Sequence, residues 1–257
     1  MGILGRVESL WRYPVKSMKG EQLAEAFFGF GGVHGDRLYA FRSPESPPGF
    51  PYLTARENHG LLLHRPRFRH PDRALMPPNL REAAAFDAVL ATAPSDPEDL
   101  ALDVATPDGR VLAIDDRELA GTLGAALSLL RSDKAITDCR PVSLISVQTT
   151  RTLGDECGRP VDKRRFRANV YLDLGTAAGF AEDGFVGRTI GLGERVKIHV
   201  LERDPRCAMI TLDPDTAERD FQVLKTVTSR HDGYAGVYAA VLAEGVVREG
   251  DAIAVIG

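Results

Sequence analysis

The polar and apolar positions of this chain alternate more often than they follow a helical period. Between residues 2 and 11, Ile3, Gly5, Val7, Ser9 and Trp11 alternate with Leu4, Arg6, Glu8 and Leu10, which predicts a strand ended by Tyr13-Pro14. Residues 21–28 and 37–42 read as further strands, with the glycine-rich GFGGVHGD as the turn between them. SPESPPGFP (43–51) is a Pro-rich surface loop. The stretch 64–99 is rich in Pro and Arg, has little periodicity, and holds one candidate strand near 86–92. Residues 101–114 read as a hairpin around Pro107-Asp108-Gly109.

Helical spacing first occurs at Leu119, Leu123, Ala126, Leu127 and Leu130, predicting a helix over 116–130 capped by Asp115 or Asp116. Next come a buried strand (141–147), a helix (148–156), a strand (166–174) and a turn leading into a long strand (191–204). Asp215, with Glu218 three residues on, is a candidate N-cap for a helix ending near Ser229. Residues 234–242 and 251–257 are closing strands around Glu249-Gly250. No period of 20–50 residues marks a repeat array. The helices do not alternate with strands as βαβ units would. The pattern predicts a mainly β (α+β) fold, a β-barrel or folded sheet with a few helices. A division near 112–116 gives domains 1–114 and 115–257.

Composition narrows the function classes. With 44% hydrophobic and 26% charged residues, the chain is an ordinary globular sequence rather than a disordered one. A net charge of -4 leaves no basic footprint for nucleic acid. No apolar run reaches the roughly 18–20 residues of a membrane span. The N-terminus lacks an apolar signal core, so the expected location is cytoplasmic and no membrane partner is expected. The three cysteines, Cys139, Cys157 and Cys207, have no CxxC spacing. Each reads as a buried small hydrophobe, or as a reactive thiolate or metal ligand.

Several familiar motifs fail. GFGGVHG has His34 where GxGxxG needs glycine, and a strand rather than a helix follows it. The six histidines have no HxxxH or HExxH spacing. Neither a GxSxG elbow nor an SxxK pair is present. Asp213, Asp215 and Asp220 do not make a complete calcium loop. RDPRCAMITLDPDT (203–216) is more informative. Arg203 and Arg206 flank Cys207, and guanidinium charge favours the thiolate that soft metals prefer. YPVKSMKG offers Lys16, Ser17 and Lys19, and KRRFRANV offers Arg164, Arg165, Arg167 and Asn169. With Arg37, these would make a local anion site, although KRRFR also reads as a solvated charge run. Only six of the 32 basic residues are Lys, and two of the six lie in YPVKSMKG.

Taken in order, these segments resemble the MOSC family, named for the molybdenum cofactor sulfurase C-terminal domain. YPVKSMKG, GVHGDRLYAF and LTARE (53–57) resemble the β-barrel that precedes MOSC domains. RPVSLISVQT (140–149), RRFRANVYLD (164–173) and RDPRCAMITLDPDT resemble the MOSC domain itself. The order and spacing are similar to those of the mitochondrial amidoxime-reducing component and its bacterial relatives. The resemblance implies that Cys207 is the catalytic ligand to molybdenum, and that Lys16, Ser17, Arg37, Arg167 and Asn169 bind the pyranopterin cofactor. Ser146 and Thr149 are candidates for its phosphate end. Ala168 replaces the family's usual Pro, and Ala217 stands where Gly is common, which leaves loop shape open. No ferredoxin-like or pyridoxal-phosphate-dependent desulfurase domain is expected within these residues.

The implied activity is reduction of a small N-hydroxylated (N-oxygenated) substrate at a Cys-ligated molybdenum cofactor. Electrons would come from a separate protein of reductase, ferredoxin or cytochrome type, since the chain shows no flavin, haem or iron–sulfur motif. Asp213 and His231 are candidate proton donors. Two other readings stay open. One is a cofactor or sulfur carrier in which Cys207 holds a persulfide. The other is a small-molecule binding module with an inert Cys207. Metal content discriminates among the three.

Overall fold

The protein is described here by a computed structural model, covering residues 2–80 and 95–256. The candidate strand near 86–92 lies outside the described residues. The first part of the chain forms β1 (Ile3–Arg12), β2 (Glu21–Leu23), β3 (Glu25–Gly29), β4 (Gly32–Val33), β5 (Tyr39–Arg42), β6 (Arg65–Phe68), β7 (Leu102–Ala105) and β8 (Val111–Ala113). Then follow α1 (Arg117–Leu123), β9 (Ser128–Arg131), β10 (Val142–Ser146), α2 (Val147–Cys157), β11 (Val170–Asp173), β12 (Thr189–Leu192) and β13 (Val196–Pro205). The last elements are α3 (Phe221–Arg230), β14 (Tyr234–Ala243), β15 (Gly245–Arg248) and β16 (Ala252–Val255).

The fold is mainly β. One sheet runs β11-β10-β14-β13-β12-β16-β1-β2, and a further β11–β1 pairing closes its first seven strands into a barrel. The first strand of the chain is what closes it. Along β1, Arg6 pairs with Asp173 and Leu10 with Val170 on one side, while Gly5 pairs with Ile253 on the other. The remaining strands form three small sheets, β15-β3-β4, β5-β9 and β6-β7-β8. GFGGVHGD is the β3–β4 turn, with Phe28 opposite Val33.

Strand periodicity sorts side chains between faces. Val142 and Leu144 on β10, and Val170 and Leu172 on β11, point into the barrel core with Val7, Ile198, Val200 and Val237. Tyr171 and Ile145 point the other way, against Leu153 of α2, Val223 and Val227 of α3, and Phe166. Another cluster, with Val15, Met18, Leu38, Leu61, Leu102, Val104 and Leu119, fills the N-terminal part. Each such aliphatic side chain contributes about 1.5–3 kcal/mol by burial. The cavity described below lies where these regions meet.

Several elements differ from the pattern-based reading. The helix expected over 116–130 stops at Leu123, where Gly124 takes φ 165°. Leu129 and Leu130 instead pair with Phe41 and Ala40 across β9–β5. A short helix followed by a strand gives the same apolar spacing as one longer helix. The strand expected from 166 begins at Val170, because 163–166 form a 3-10 turn capped by Asp162. The turn and long strand expected over 191–204 are present as the turn at 193–195 and β13; what the pattern did not show is β12, which precedes the turn and pairs with β13 in a hairpin. The last helix is capped by Asp220, whose side chain accepts from Gln222 N. Asp215 lies instead in a turn whose Asp213 accepts from Asp215 N and Thr216 N at 3.0 and 3.1 Å.

Candidate functional site

A cavity of about 350 Å³ lies between the N-terminal loops and the outer side of the barrel. Lys16, Ser17, Arg37, Arg167, Asn169 and Cys207 all line it, although they are far apart in the sequence. Seven cationic side chains line it (Lys16, Arg37, Arg56, Arg140, Arg165, Arg167, Arg206) against two carboxylates, Asp138 and Asp204. In a chain of net charge -4 this is a strong local excess of positive charge.

The backbone is bent to make the site. Ser17, Arg37 and Arg167 have φ of 66°, 44° and 51°, the left-handed region that non-glycine residues avoid. Such conformations cost on the order of 1–3 kcal/mol each and gather where a side chain must be aimed. Arg167 ends the 163–166 turn in this conformation. Arg37 N donates to Tyr13 O at 2.7 Å, tying two of the site's loops together.

The two arginines have different partners. Arg37 Nη1 donates to Asp36 Oδ2 at 2.6 Å and to Asn169 Oδ1 at 3.4 Å, and its Nη2 donates to Arg167 O at 2.8 Å. Burial works against the Arg37 charge, but Asp36 outweighs it and the pKa is raised. Arg167 Nη1 donates to Met18 O at 2.7 Å, while its buried Nη2 has no partner. No carboxylate pairs with Arg167 among the described residues. Burial, with Arg37 adding repulsion, pulls its pKa down to about 10. Arg167 is therefore a half-buried cation without an ion-pair partner, its buried Nη2 unbonded, next to a cavity.

Asn169 is fixed by the barrel. Its Oδ1 accepts from Ser143 N at 3.2 Å, and its Nδ2 donates to Trp11 O at 3.3 Å. Lys16 is buried, donates to Ile136 O at 3.0 Å and pairs with Asp138. Burial lowers the Lys16 pKa against the pull of Asp138. Asp204 is buried, accepts from Ser143 Oγ at 2.7 Å and pairs with Arg206 at 2.8 Å. Burial raises its pKa despite Arg206, and its Oδ1 has no partner.

Cys207 is a free, part-buried thiol immediately before the 3-10 turn Ala208–Thr211. Its neighbouring arginines are engaged elsewhere. Arg206 donates to Ala235 O and Phe166 O at 2.7 and 2.9 Å, and Arg203 lies 4.1 Å over the Tyr234 ring. Among the described residues no group of three or more His, Cys, Asp or Glu side chains could hold a metal. A metal at Cys207 would therefore need most of its ligands from a cofactor.

The structure does not bring every candidate to the cavity. Ser146 and Thr149 are absent from its lining. Ser146 Oγ caps α2 by accepting from Thr149 N at 3.0 Å, and Thr149 Oγ1 accepts from Phe180 N at 2.6 Å. Both hydroxyls thus accept from backbone N–H groups, away from the main cavity. Asp213 pairs with Arg165 at 2.9 Å, and His231 stacks on Phe180 and bonds Glu156 at 2.7 Å, so neither lines the cavity. Arg164 and Lys19 pair with Asp215 and border a second, smaller cavity. Thr54, Arg56, Asp138, Asp204 and Tyr238 line the main cavity without having been singled out from the sequence. LTARE and RDPRC contained three of them; Tyr238, inside an apolar strand, gave no signal.

The site and barrel define a MOSC-type protein. A MOSC domain profile matches residues 131–254, and a MOSC N-terminal beta barrel domain profile matches residues 4–106. The chain belongs to the MOSC family, whose domains are associated with molybdenum cofactor binding. Among solved structures it is similar to the YUAD protein from Bacillus subtilis, at 13% identity and TM-score 0.44, covering 97% of this chain and 93% of that one. It is also similar to YiiM from Geobacillus stearothermophilus, at 19% identity and TM-score 0.35, covering 46% of this chain and 55% of that one. No curated protein matches the chain. No helix among the described residues is long and apolar enough to cross a membrane.

Proposed function

We propose that the chain is a molybdenum-cofactor oxidoreductase that reduces N-hydroxylated small molecules, with Cys207 as the protein's ligand to the metal. The observation that carries this reading is the placing of a free thiol and a half-buried guanidinium without an ion-pair partner, Arg167, in one cavity. The cofactor has a phosphate and a soft metal, and this donor set suits both ends. Arg167 and Arg37 would hold the anionic end, with Lys16 adding charge. Asn169 and Ser17 would meet the polar ring. Bound there, the cofactor supplies the two-electron chemistry that removes the oxygen of an N–OH group as water. Asp204, raised by burial, holds a proton more readily than an exposed aspartate and lines the same cavity. The electrons come from a separate donor protein.

The test is to produce wild type and Cys207→Ser in a host that makes the cofactor, then measure molybdenum, pterin and benzamidoxime reduction with an artificial donor. Near-stoichiometric metal in wild type, lost with activity in Cys207→Ser, supports the reading. Equal turnover by the variant overturns it. Extra sulfur on Cys207 with no metal assigns a carrier instead.

A further inference from the structure

A second cavity, of about 130 Å³, lies beside the first. Arg165, Arg167 and Met209 line both cavities, so they form the wall between them. The rest of its surface is largely apolar, from Trp11, Tyr13, Leu62, Leu212 and Pro214. Leu62, Leu212 and Pro214 are buried, and Trp11 stacks on Tyr13 at 6.4 Å and 22°. The cavity gathers β1, the 3-10 turn His59–Leu63 and the loop after Ala208–Thr211 around one space.

Its size and charge select the occupant. An engineered apolar cavity of about 150 Å³ stays dry and takes up benzene, so this one suits a single six-membered ring. The cations bordering it are already compensated. Lys19 and Arg164 both pair with Asp215, and Arg165 pairs with Asp213. An anion finds no free counter-charge there beyond the shared Arg167. A neutral ring finds aromatic and aliphatic walls.

We propose that this second cavity is a binding site for one neutral aromatic ring. Its ligand class is the monocyclic aryl compound, such as an aryl amide or a phenol. The site does not depend on molybdenum, because its apolar walls other than Met209 do not line the main cavity.

Trp11 is the single tryptophan of the chain and lines this cavity, so its emission reports occupancy. Metal-free full-length protein is titrated with benzamide and, separately, with 2-naphthamide. Benzamide should give a saturable change in Trp11 emission, and the two-ring probe none. Leu62→Phe, which fills the cavity, should weaken benzamide at least tenfold. It should leave phosphate binding at the main cavity unchanged, which shows that the variant is folded. Leu62→Ala, which enlarges the cavity, should gain 2-naphthamide binding. No saturable response in wild type, or equal benzamide affinity in Leu62→Phe, overturns the proposal. Neither result bears on metal content, so it can fail or stand independently of the molybdenum reading.

Discussion

Arg37 and Arg167 share one aromatic ring: their guanidinium carbons lie 4.6 and 4.2 Å from the centroid of Tyr13. Only Arg37 has a carboxylate partner. The ring's negative face lets two like charges approach inside the protein, and the unpaired one keeps a depressed pKa. Arg167→Gln and Arg37→Gln should therefore behave differently. Arg167→Gln should weaken phosphate binding at least tenfold, the loss of a charge-assisted hydrogen bond of about 1.5–3 kcal/mol, with a melting temperature held or raised. Arg37→Gln leaves Asp36, 3% exposed, without its ion pair and should destabilise by about 3 kcal/mol. Calorimetric phosphate titrations and thermal melts measure both. Since the anion needs the charged form, wild-type phosphate affinity should also decline as pH passes about 10.

How far the sequence showed this site depends on what each side chain does locally. Lys16, Arg37, Arg167, Asn169 and Cys207 lie in short polar segments at turns or strand ends, where cations and a thiol need an explanation. The ordered motifs supplied one. Ser146 was ambiguous in the sequence because a hydroxyl at the end of a strand fits a phosphate site and a helix N-cap equally well. Asp204 and Tyr238 stayed hidden because what brings them to Ser143 is the pairing of β14 with β10 and β13, which no local pattern encodes. The barrel's alternation was legible, but its closure by β1 was not. That closure depends on pairings of β1 with strands more than 160 residues away (Arg6 with Asp173).

The capping role of Ser146 gives a direct contrast. Ser146→Ala removes the acceptor for Thr149 N and should destabilise by about 1 kcal/mol. Molybdenum content and phosphate affinity should match wild type. A variant of normal stability that has lost phosphate binding would return Ser146 to the ligand set.

His34 predicts an acid limb of stability. Burial, aided by the Arg12 charge, pulls its pKa down to about 4 from an ordinary 6.5. Between those values the unfolded chain binds more protons than the native one, so stability falls as pH drops from about 6.5 towards 4. The contribution is fully present above 6.5 and amounts to at most about 3 kcal/mol. His34→Gln should flatten this part of the curve in urea melts run from pH 7 to 4. An unchanged slope would assign the acid limb to other groups.

Ala217 is the departure from the family's usual glycine that the backbone exposes most plainly. It has φ 59°, and its N–H donates to Asp213 O at 2.9 Å in the turn that follows the Cys207 segment. An L-residue there costs roughly 1–2 kcal/mol that glycine avoids. Glycine in turn adds about 0.4–1 kcal/mol of unfolded-state entropy. Ala217→Gly should therefore be net stabilising by about 0.5–1 kcal/mol, seen as a higher denaturant midpoint at constant slope. Phosphate affinity should not change, because Ala217 does not line the main cavity. A lower midpoint would mean that Ala217's packing against the N-terminal core cluster outweighs its backbone strain.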